Sequence, residues 1–146
     1  MVKIIEPKSS AEFIIYYNLR YEVLRKPWLQ PKGSECDEEE ETSVHRMIID
    51  ESNGKAVAIG RLQFNTIEEA QIRYMAVSDD YQGMGYGSKI VKALDNIARK
   101  KGSRKIILQS RENAVKFYEK NGYKIIEKSY LLFDEIQHWL MEKELI

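Results

Sequence analysis

Residues 72–87 read IRYMAVSDDYQGMGYG, and they carry the strongest structural signal in the chain. The mostly apolar start of this stretch predicts a strand, and its end is a turn that contains three glycines. Apolar residues recur at helical spacing beyond Gly87, so the turn leads directly into a helix. Such a turn leaves backbone amides unpaired at the positive end of the helix dipole. The sequence therefore predicts an anion-binding turn that suits a pyrophosphate.

Two other phosphate-binding turns do not fit these residues. A P-loop requires a lysine and a hydroxyl residue directly after its last glycine, and no Lys-Ser or Lys-Thr follows Gly87. The dinucleotide fingerprint requires a third glycine, but that position is Ser88 when counted from Gly83 and Ile90 when counted from Gly85. The pattern that remains is Gln-x-x-Gly-x-Gly at residues 82–87.

A second motif supports the same interpretation. Residues 113–123 read NAVKFYEKNGY, which is similar to the signature Asn-x-x-Ala-x-x-Phe-Tyr-x-x-x-Gly-Phe of the GNAT acetyltransferase superfamily, with Tyr123 in place of the usual Phe. Residues 75–87 resemble the segment that holds the coenzyme A pyrophosphate in that family. A purely structural glycine turn is the alternative, and the second motif makes it the weaker one.

Hydrophobic periodicity across the rest of the chain predicts alternating strands and helices in a single domain of residues 1–146. Ser9 and Glu12 have the spacing of a capping box that starts the first helix, and Pro27 ends it. The resemblance implies an α/β (α+β) GNAT fold, with a mixed, mostly antiparallel sheet of about seven strands flanked by helices. The predicted strands are residues 2–6, 44–50, 56–64, 70–77, 104–110, 123–128 and 136–145, and the later helices follow Gly87 and cover residues 113–120.

The charge balance narrows the classes of partner. The 146 residues include 23 Lys and Arg and 23 Asp and Glu, so the chain lacks the basic excess that draws proteins to nucleic acid or to an anionic membrane. Its single cysteine, Cys36, suits a reducing compartment, and the first residues do not resemble a signal peptide. We expect a cytoplasmic protein with no metal, no nucleic-acid partner and no membrane span.

The resemblance implies acetyl-coenzyme A as the co-substrate and a small-molecule or peptide amine as the acceptor. Direct attack within a ternary complex needs a donor for the oxyanion and an acid for the leaving thiolate. The backbone of Met75, Ala76 and Val77 would provide the donor, and Tyr118, as a phenol with an ordinary pKa of about 10, would be the catalytic acid. Asn113 matches the family residue that hydrogen-bonds the pantetheine arm, with a helix N-cap as its structural alternative. The predicted coenzyme-binding residues are Met75, Ala76, Val77, Gln82, Gly83, Met84, Gly85, Tyr86, Gly87, Ser88, Asn113 and Tyr118.

The general base stays open. Some family members use a glutamate on the strand before the glycine turn, and the residue aligned with it here is Gln71, which cannot accept a proton. The remaining titratable candidates are Glu68, Glu69, His45 and His138, although histidines in strands are more often structural. The basic residues near the motifs, Arg73, Lys89 and Arg111, are interpreted as solvated charges, with contact to coenzyme phosphates as the alternative.

Residues 35–41, ECDEEEE, form an acidic run. We interpret this run as a solvated loop, with attraction of a cationic acceptor as the alternative. Two further functions stay open: an acyl-coenzyme A binding or sensing domain, which Gln71 motivates, and a protein-interaction module that acts through the acidic run. The sequence is compatible with both a monomer and a homodimer.

Overall fold

A seven-stranded mixed sheet forms the centre of the computed structural model, which describes residues 1–145. Its strands are β1 (Val2–Ile5), β2 (Val44–Asp50), β3 (Lys55–Phe64), β4 (Glu69–Val77), β5 (Lys105–Arg111), β6 (Lys124–Leu132) and β7 (Ile136–Glu144). They lie in the order β1-β2-β3-β4-β5-β7-β6. Every neighbouring pair is antiparallel except β4 and β5, which are parallel.

Three α-helices flank this sheet: α1 (Ser10–Leu24), α2 (Tyr86–Lys100) and α3 (Val115–Lys120). The predicted capping box starts α1, because the Glu12 amide donates to the Ser9 hydroxyl and the Ser9 amide donates to the Glu12 carboxylate, both at 3.1 Å. Pro27 lies in the 3₁₀ turn Lys26–Trp28 directly after α1. Within residues 1–145, no helix combines the length and the apolar composition that crossing a bilayer requires.

The helices bury both faces of the sheet. Under α1, Tyr16 and Leu19 pack with Met47, Ile59 and Ala76. The larger core lies on the opposite face beneath α2 and α3 and contains Val57, Leu62, Ile72, Ile90, Leu94, Ile106, Leu108, Tyr118 and Tyr123. A sheet with helices on each face confirms the predicted α/β fold class.

Two element boundaries differ from the prediction. β6 continues to Leu132 instead of residue 128, because its pairing with β7 extends to Leu132 opposite Ile136. β6 is an exposed edge strand, so its outer half lacks the apolar alternation on which the prediction depends. The helix predicted at residues 113–120 begins at Val115, and a 3₁₀ turn over Glu112–Ala114 precedes it.

The interpretation of the acidic run as a solvated loop is wrong for Asp37 and Glu40. The Glu40 carboxylate accepts hydrogen bonds from Arg20 at 2.8 Å and from Arg61 at 2.9 Å, and Asp37 accepts from Arg61 at 2.7 Å. Arg20 and Arg61 are fully buried, so their charges require partners, and this run supplies them. The charge pattern of the acidic run could not show these ion pairs, because Arg20 belongs to α1 and Arg61 to β3.

Candidate active site

β4 and β5 pair over only part of their length, which opens a split in the sheet. Their parallel register ends where Ile72 lies opposite Leu108, although β4 continues to Val77 and β5 to Arg111. The backbone groups on this edge of β4 therefore have no partner strand on the β5 side. Met75, Ala76 and Val77, whose backbone was predicted to provide the oxyanion donor, lie on this part of β4.

A β-bulge turns β4 at the split. Tyr74 and Met75 lie together opposite Gly60 of β3, where the register shifts by one residue. Tyr74 has a φ of 57°, a left-handed value that is rare for a residue other than glycine. Gly60 makes room for the bulge, since a Cβ atom there would lie 2.6 Å from both Met75 Sδ and Ile90 Cγ2. Bulges of this kind re-aim side chains beside functional sites.

The glycine turn joins the end of β4 to the start of α2. Gly83 and Gly85 have φ values of 74° and 84°, which residues with side chains rarely adopt. Gln82 Nε2 donates to the Val77 carbonyl at 2.8 Å, so the side chain of this predicted coenzyme residue holds the turn against the strand. α2 begins at Tyr86, and the amides of its first turn have no carbonyl one turn earlier to bind. These free amides fit a phosphate group.

The two sequence motifs meet where α2 begins beside α3. A Cβ atom on Gly87 would lie 3.1 Å from the Phe117 ring, so the missing side chain lets the two helices approach. Asn121, at the end of α3, donates to the Ser88 hydroxyl at 3.2 Å and to the Phe117 carbonyl at 2.9 Å. The ring of Tyr118 packs edge-to-face on Phe117 with their centres 5.0 Å apart. The glycine turn and the second motif therefore form one structural unit.

A cleft of about 120 Å³ lies in the split between β4 and β5. Its wall includes Met75 of β4, Arg111 of β5, Tyr118 of α3 and His138 of β7. The residues of the glycine turn, 82–88, are not part of this wall. The cleft therefore combines side chains capable of proton transfer, Tyr118 and His138 among them, with the unpaired edge of β4.

The sequence profile of the Acetyltransferase (GNAT) family matches residues 13–123, a span that contains the glycine turn, the bulge and the second motif. This chain belongs to the GNAT acetyltransferase family. A relative from Bacillus subtilis strain 168, the uncharacterised N-acetyltransferase YjcF, is 29% identical over 143 residues, which cover 98% of this GNAT chain and 100% of the relative. The chain is therefore an acyltransferase.

Solved structures share the GNAT fold. An acyl-CoA N-acyltransferase from Pseudomonas aeruginosa superposes with a TM-score of 0.81 at 19% identity, over 98% of each chain. An aminoglycoside 6′-N-acetyltransferase complexed with coenzyme A has a TM-score of 0.79 at 16% identity, over 100% of this chain and 97% of that one. These likenesses confirm the predicted GNAT fold of the chain.

Tyr118, the predicted acid of this GNAT chain, is buried in the cleft wall. Burial raises the pKa of its phenol above the ordinary value of 10, and the charge of Arg111 opposes the rise. The ordinary pKa of about 10 that the sequence analysis assumed for the Tyr118 phenol is therefore corrected upward. A thiolate in the same buried cleft would have a raised pKa as well, because burial disfavours both anions.

Three of the four candidate bases lie outside the cleft wall. Glu68 and Glu69 form ion pairs with basic neighbours, at 3.8 and 3.6 Å. Both ring nitrogens of His45 are hydrogen-bonded, one to the Tyr16 hydroxyl and one to a backbone carbonyl, each at 2.7 Å. Gln71 lines the cleft and accepts a hydrogen bond from a neighbouring amide at 2.9 Å, but it has no ionisable group.

His138 is the candidate base that lies in the cleft wall. Its Nδ1 lies 3.0 Å from the Ile136 carbonyl, an acceptor, so Nδ1 carries the proton and Nε2 is the basic nitrogen. The imidazole stacks on Tyr130 with ring centres 4.4 Å apart. Burial lowers the pKa of His138, the Ile136 carbonyl opposes this, and the charges of Arg111 and Arg25 lower it further. The ring is therefore neutral at pH 7 and able to accept a proton.

Arg111 is one of the cleft residues that sequence reasoning missed, because its charge was interpreted as solvated. Burial first, and then the charge of Arg25, lower the pKa of Arg111 to about 10. The GNAT signature has its Asn three residues before its Ala, and with Ala114 as that Ala the position falls on Arg111. Asn113 does not match it, and the residue at the N-cap of α3 is Ala114, with no side-chain hydrogen bond. Counting back from Ala114 would have found Arg111.

Proposed function

We propose that this chain is an N-acetyltransferase that transfers the acetyl group of acetyl-coenzyme A to a primary amine by direct attack within a ternary complex. The observation that carries the proposal is the cleft in the β4–β5 split, where Tyr118, His138 and the unpaired edge of β4 come together. Family membership and the fold shared with a coenzyme A complex support the choice of co-substrate. Bound acetyl-coenzyme A supplies the reactive thioester.

The residues at the glycine turn fit coenzyme A. Positive φ at Gly83 and Gly85 brings the backbone to the surface, and the free amides at the start of α2 suit the pyrophosphate. Along Met75, Ala76 and Val77, the edge of β4 that faces the split has no partner strand, and this edge suits the amide groups of the pantetheine arm. We therefore assign the pyrophosphate to residues 82–88 and the arm to the split.

His138 and Tyr118 have separate roles in proton transfer: one deprotonates the acceptor, and the other protonates the leaving sulfur. An acceptor ammonium with a pKa of about 10.4 lies about 3.4 pKa units above neutrality, which corresponds to about 4.6 kcal/mol. His138 Nε2 takes that proton, because it is the basic nitrogen of a neutral imidazole in the cleft. Tyr118 donates a proton to the leaving sulfur, and its phenolate regains one from the amine nitrogen, which loses its second proton as the amide forms. Backbone amides of β4 stabilise the negative charge that develops on the acetyl oxygen.

Purified protein should release free thiol only when acetyl-coenzyme A and a suitable amine are both present. Tyr118→Phe should lower kcat by about a hundredfold, because the leaving thiolate loses its acid. Coenzyme A affinity, measured by calorimetry, should stay nearly constant. Tyr21→Phe is the matched control, since the Tyr21 hydroxyl donates to the Gln30 carbonyl and does not line the cleft.

Each measurement answers a separate question. An unchanged kcat in Tyr118→Phe would remove Tyr118 from the acid role while leaving the transferase in place. Absence of coenzyme A binding to the wild-type protein would overturn the proposed function. Equal losses in Tyr118→Phe and Tyr21→Phe would indicate damage to the fold instead of lost chemistry.

An acyl-coenzyme A binding or sensing domain is the second candidate. Gln71 favours it, since this residue occupies the position of the family glutamate and its amide oxygen is bound to Asn65 Nδ2 at 2.9 Å. Coenzyme A binding without thiol release across a broad panel of amines would select this function. Thiol release with any amine in the panel would exclude it.

A further inference from the structure

Three arginines contribute to the cleft wall, and no Asp or Glu of residues 1–145 does. Arg73 has a carboxylate partner, since its Nη1 lies 3.3 Å from Oδ2 of Asp37, which Arg61 also binds. Within residues 1–145, no carboxylate oxygen lies within 4.0 Å of a guanidinium nitrogen of Arg25 or Arg111. The cleft therefore contains two cations without a counter-charge from the described residues.

Arg25 and Arg111 converge on one oxygen atom. Arg25 Nη1 donates to the Leu24 carbonyl at 3.0 Å, and Arg111 Nη2 donates to the same carbonyl at 3.0 Å. Two like charges this close repel each other, and a carbonyl dipole cannot neutralise both. The charge of Arg25 lowers the pKa of Arg111, so an anion beside the two guanidinium groups would relieve this repulsion.

Packing fixes the position of both side chains. Arg111 lies over the Trp28 ring at 4.4 Å, and Arg25 lies 5.7 Å from the Tyr74 ring centre and 5.6 Å from that of Phe133. Arg25 Nε also donates to the Ser34 carbonyl at 3.1 Å, so the donors left for a ligand on Arg25 are those of its two terminal nitrogens. Aromatic faces attract the guanidinium plane and leave its remaining N–H groups available for hydrogen bonds. The donors are therefore held in place before any ligand arrives.

The acidic run does not supply the missing counter-charge. Glu40 is bound by Arg20 at 2.8 Å and by Arg61 at 2.9 Å. Asp37 is bound by Arg61 at 2.7 Å and by Arg73 at 3.3 Å. The third inward carboxylate, the buried Glu35, accepts from the Gly33 amide at 2.7 Å and is not within 4.0 Å of Arg25 or Arg111. None of these three carboxylates therefore balances the charge of Arg25 or Arg111.

We propose that Arg25 and Arg111 bind an anionic group of the acceptor, so that the acceptor is an amine that also carries a carboxylate or a phosphate. This inference rests on the proposed acetyl transfer and names its acceptor class. Guanidinium groups bind both oxyanions through paired, charge-assisted hydrogen bonds. Diamines and polyamines are disfavoured, because they would bring further positive charge into a cationic cleft.

The same two arginines assist the chemistry. A nearby positive charge disfavours the protonated form of an amine and so lowers the pKa of the acceptor ammonium. More of the bound acceptor is then the neutral nucleophile near pH 7. Gln71 stands at the position of the family glutamate and cannot accept a proton. A lower pKa of the acceptor ammonium makes it easier for His138 to remove that proton.

The test is thiol release by the wild-type protein with matched pairs of primary amines. One set pairs the standard amino acids and ω-amino acids of increasing length with their carboxamides. A second pairs 2-aminoethyl phosphate with ethanolamine, which separates phosphate from carboxylate recognition. We expect at least one anionic amine to have a kcat/KM at least about tenfold above its neutral partner, as charge-assisted hydrogen bonds imply.

Variants connect that preference to the two arginines. Arg111→Gln and Arg25→Gln should each reduce the preference for the anionic amine by about tenfold or more while coenzyme A affinity is retained. Arg111→Lys, which keeps the charge and loses the fork of donors, should retain part of it. Arg99→Gln is the matched control, because Arg99 is exposed on the last turn of α2.

Four outcomes would overturn the inference. Three of them are equal rates within every pair, a preference for the neutral or cationic amine, and acetylation of no anionic amine. If the wild type still binds coenzyme A, these three results leave the proposed function standing. A tenfold loss of coenzyme A affinity in Arg111→Gln with an unchanged acceptor preference would assign the arginines to a coenzyme phosphate instead. Absence of coenzyme A binding to the wild type would contradict the proposed function itself.

Discussion

His138 and His45 differ in what their second ring nitrogen contacts, and this difference separates a candidate base from a structural residue. Burial lowers the pKa of both rings, so the direction of the pKa shift does not distinguish them. Both nitrogens of His45 are occupied, by the Tyr16 hydroxyl and the Glu40 carbonyl. His138 binds the Ile136 carbonyl through Nδ1, which leaves Nε2 to accept a proton.

The pH dependence of transfer should report on His138. The neutral imidazole is the active form, so activity is present above its pKa and is lost as the pH falls through it. Because that pKa is lowered from 6.5, the acid limb of kcat/KM should have a midpoint below pH 6.5. His138→Gln should abolish this limb and lower the plateau by about a hundredfold.

Proton NMR can check the same pKa without an acceptor. The chain has two histidines, so two imidazole signals should titrate, and His138→Gln assigns them by removing one. Both midpoints should lie below 6.5. A midpoint for His138 at or above 6.5, or an acid limb that persists in His138→Gln, would contradict its role as the base.

Gly60 is the point where a strand, the bulge and two helices meet. Its carbonyl oxygen lies 3.2 Å from the Tyr16 hydroxyl oxygen of α1. On the other face, the space beside its Cα is filled by Met75 of the bulge and Ile90 of α2. The absence of a side chain on β3 thus allows α2 and the bulge to pack closely beneath the glycine turn.

Gly60→Ala should destabilise the protein and weaken coenzyme A binding. The new Cβ would lie 2.6 Å from Met75 Sδ and Ile90 Cγ2, and overpacking of this kind costs about 1–3 kcal/mol in the free energy of unfolding. Urea denaturation and calorimetry with coenzyme A measure the two effects. Adding Met75→Ala should restore part of the stability, since it removes one clashing atom. An unchanged unfolding midpoint in Gly60→Ala would show that the packing at the bulge relaxes freely.

At the scale of the whole molecule, the chain between α1 and β2 ties the first helix to the sheet through buried charges. Glu40 accepts from Arg20 of α1 and from Arg61 of β3, and both arginines are fully buried. The chain between α1 and β2 also lies next to the cleft, because its Asp37 forms an ion pair with Arg73 of the cleft wall. Loss of this ion cluster should therefore affect stability first and the cleft second.

Glu40→Gln should lower the free energy of unfolding by about 3 kcal/mol, because it leaves two buried guanidinium groups without their shared counter-charge. Glu38→Gln, the same change of charge at an exposed position of the acidic run, should have almost no effect. Urea denaturation followed by tryptophan fluorescence gives both values. Equal stability of the two variants would contradict the description of Glu40 as a structural ion-pair residue.

Much of the fold could be predicted from residues close together in the sequence. The capping box at Ser9 and Glu12, the glycine turn and the start of α2 depend on contacts within a few residues, so their patterns were sufficient. The inner strands were visible for the same reason, because a strand against a core alternates locally. The exposed strand β6 was predicted too short, since it has no such alternation.

The candidate site depended on distant contacts, and only part of it was predictable. Tyr118 was found through its motif and lies in the cleft wall, whereas the choice of His138 over His45 required the hydrogen bonds of each ring. The cleft position of Arg111 and the partners of Asp37 were missed. The sequence around a charged residue does not show whether its side chain is solvated or buried beside another charge.

The sequence by itself determined the family, the order of helices and strands, and the turn suited to a pyrophosphate, because those features follow from backbone conformation and neighbouring side chains. Tertiary structure alone decided where the sheet splits, which histidine has a free nitrogen in the cleft, and that Arg25 and Arg111 share one carbonyl oxygen. These properties arise when residues from separate elements are brought within a few ångströms. At that distance, burial and charge depend on which elements pack together.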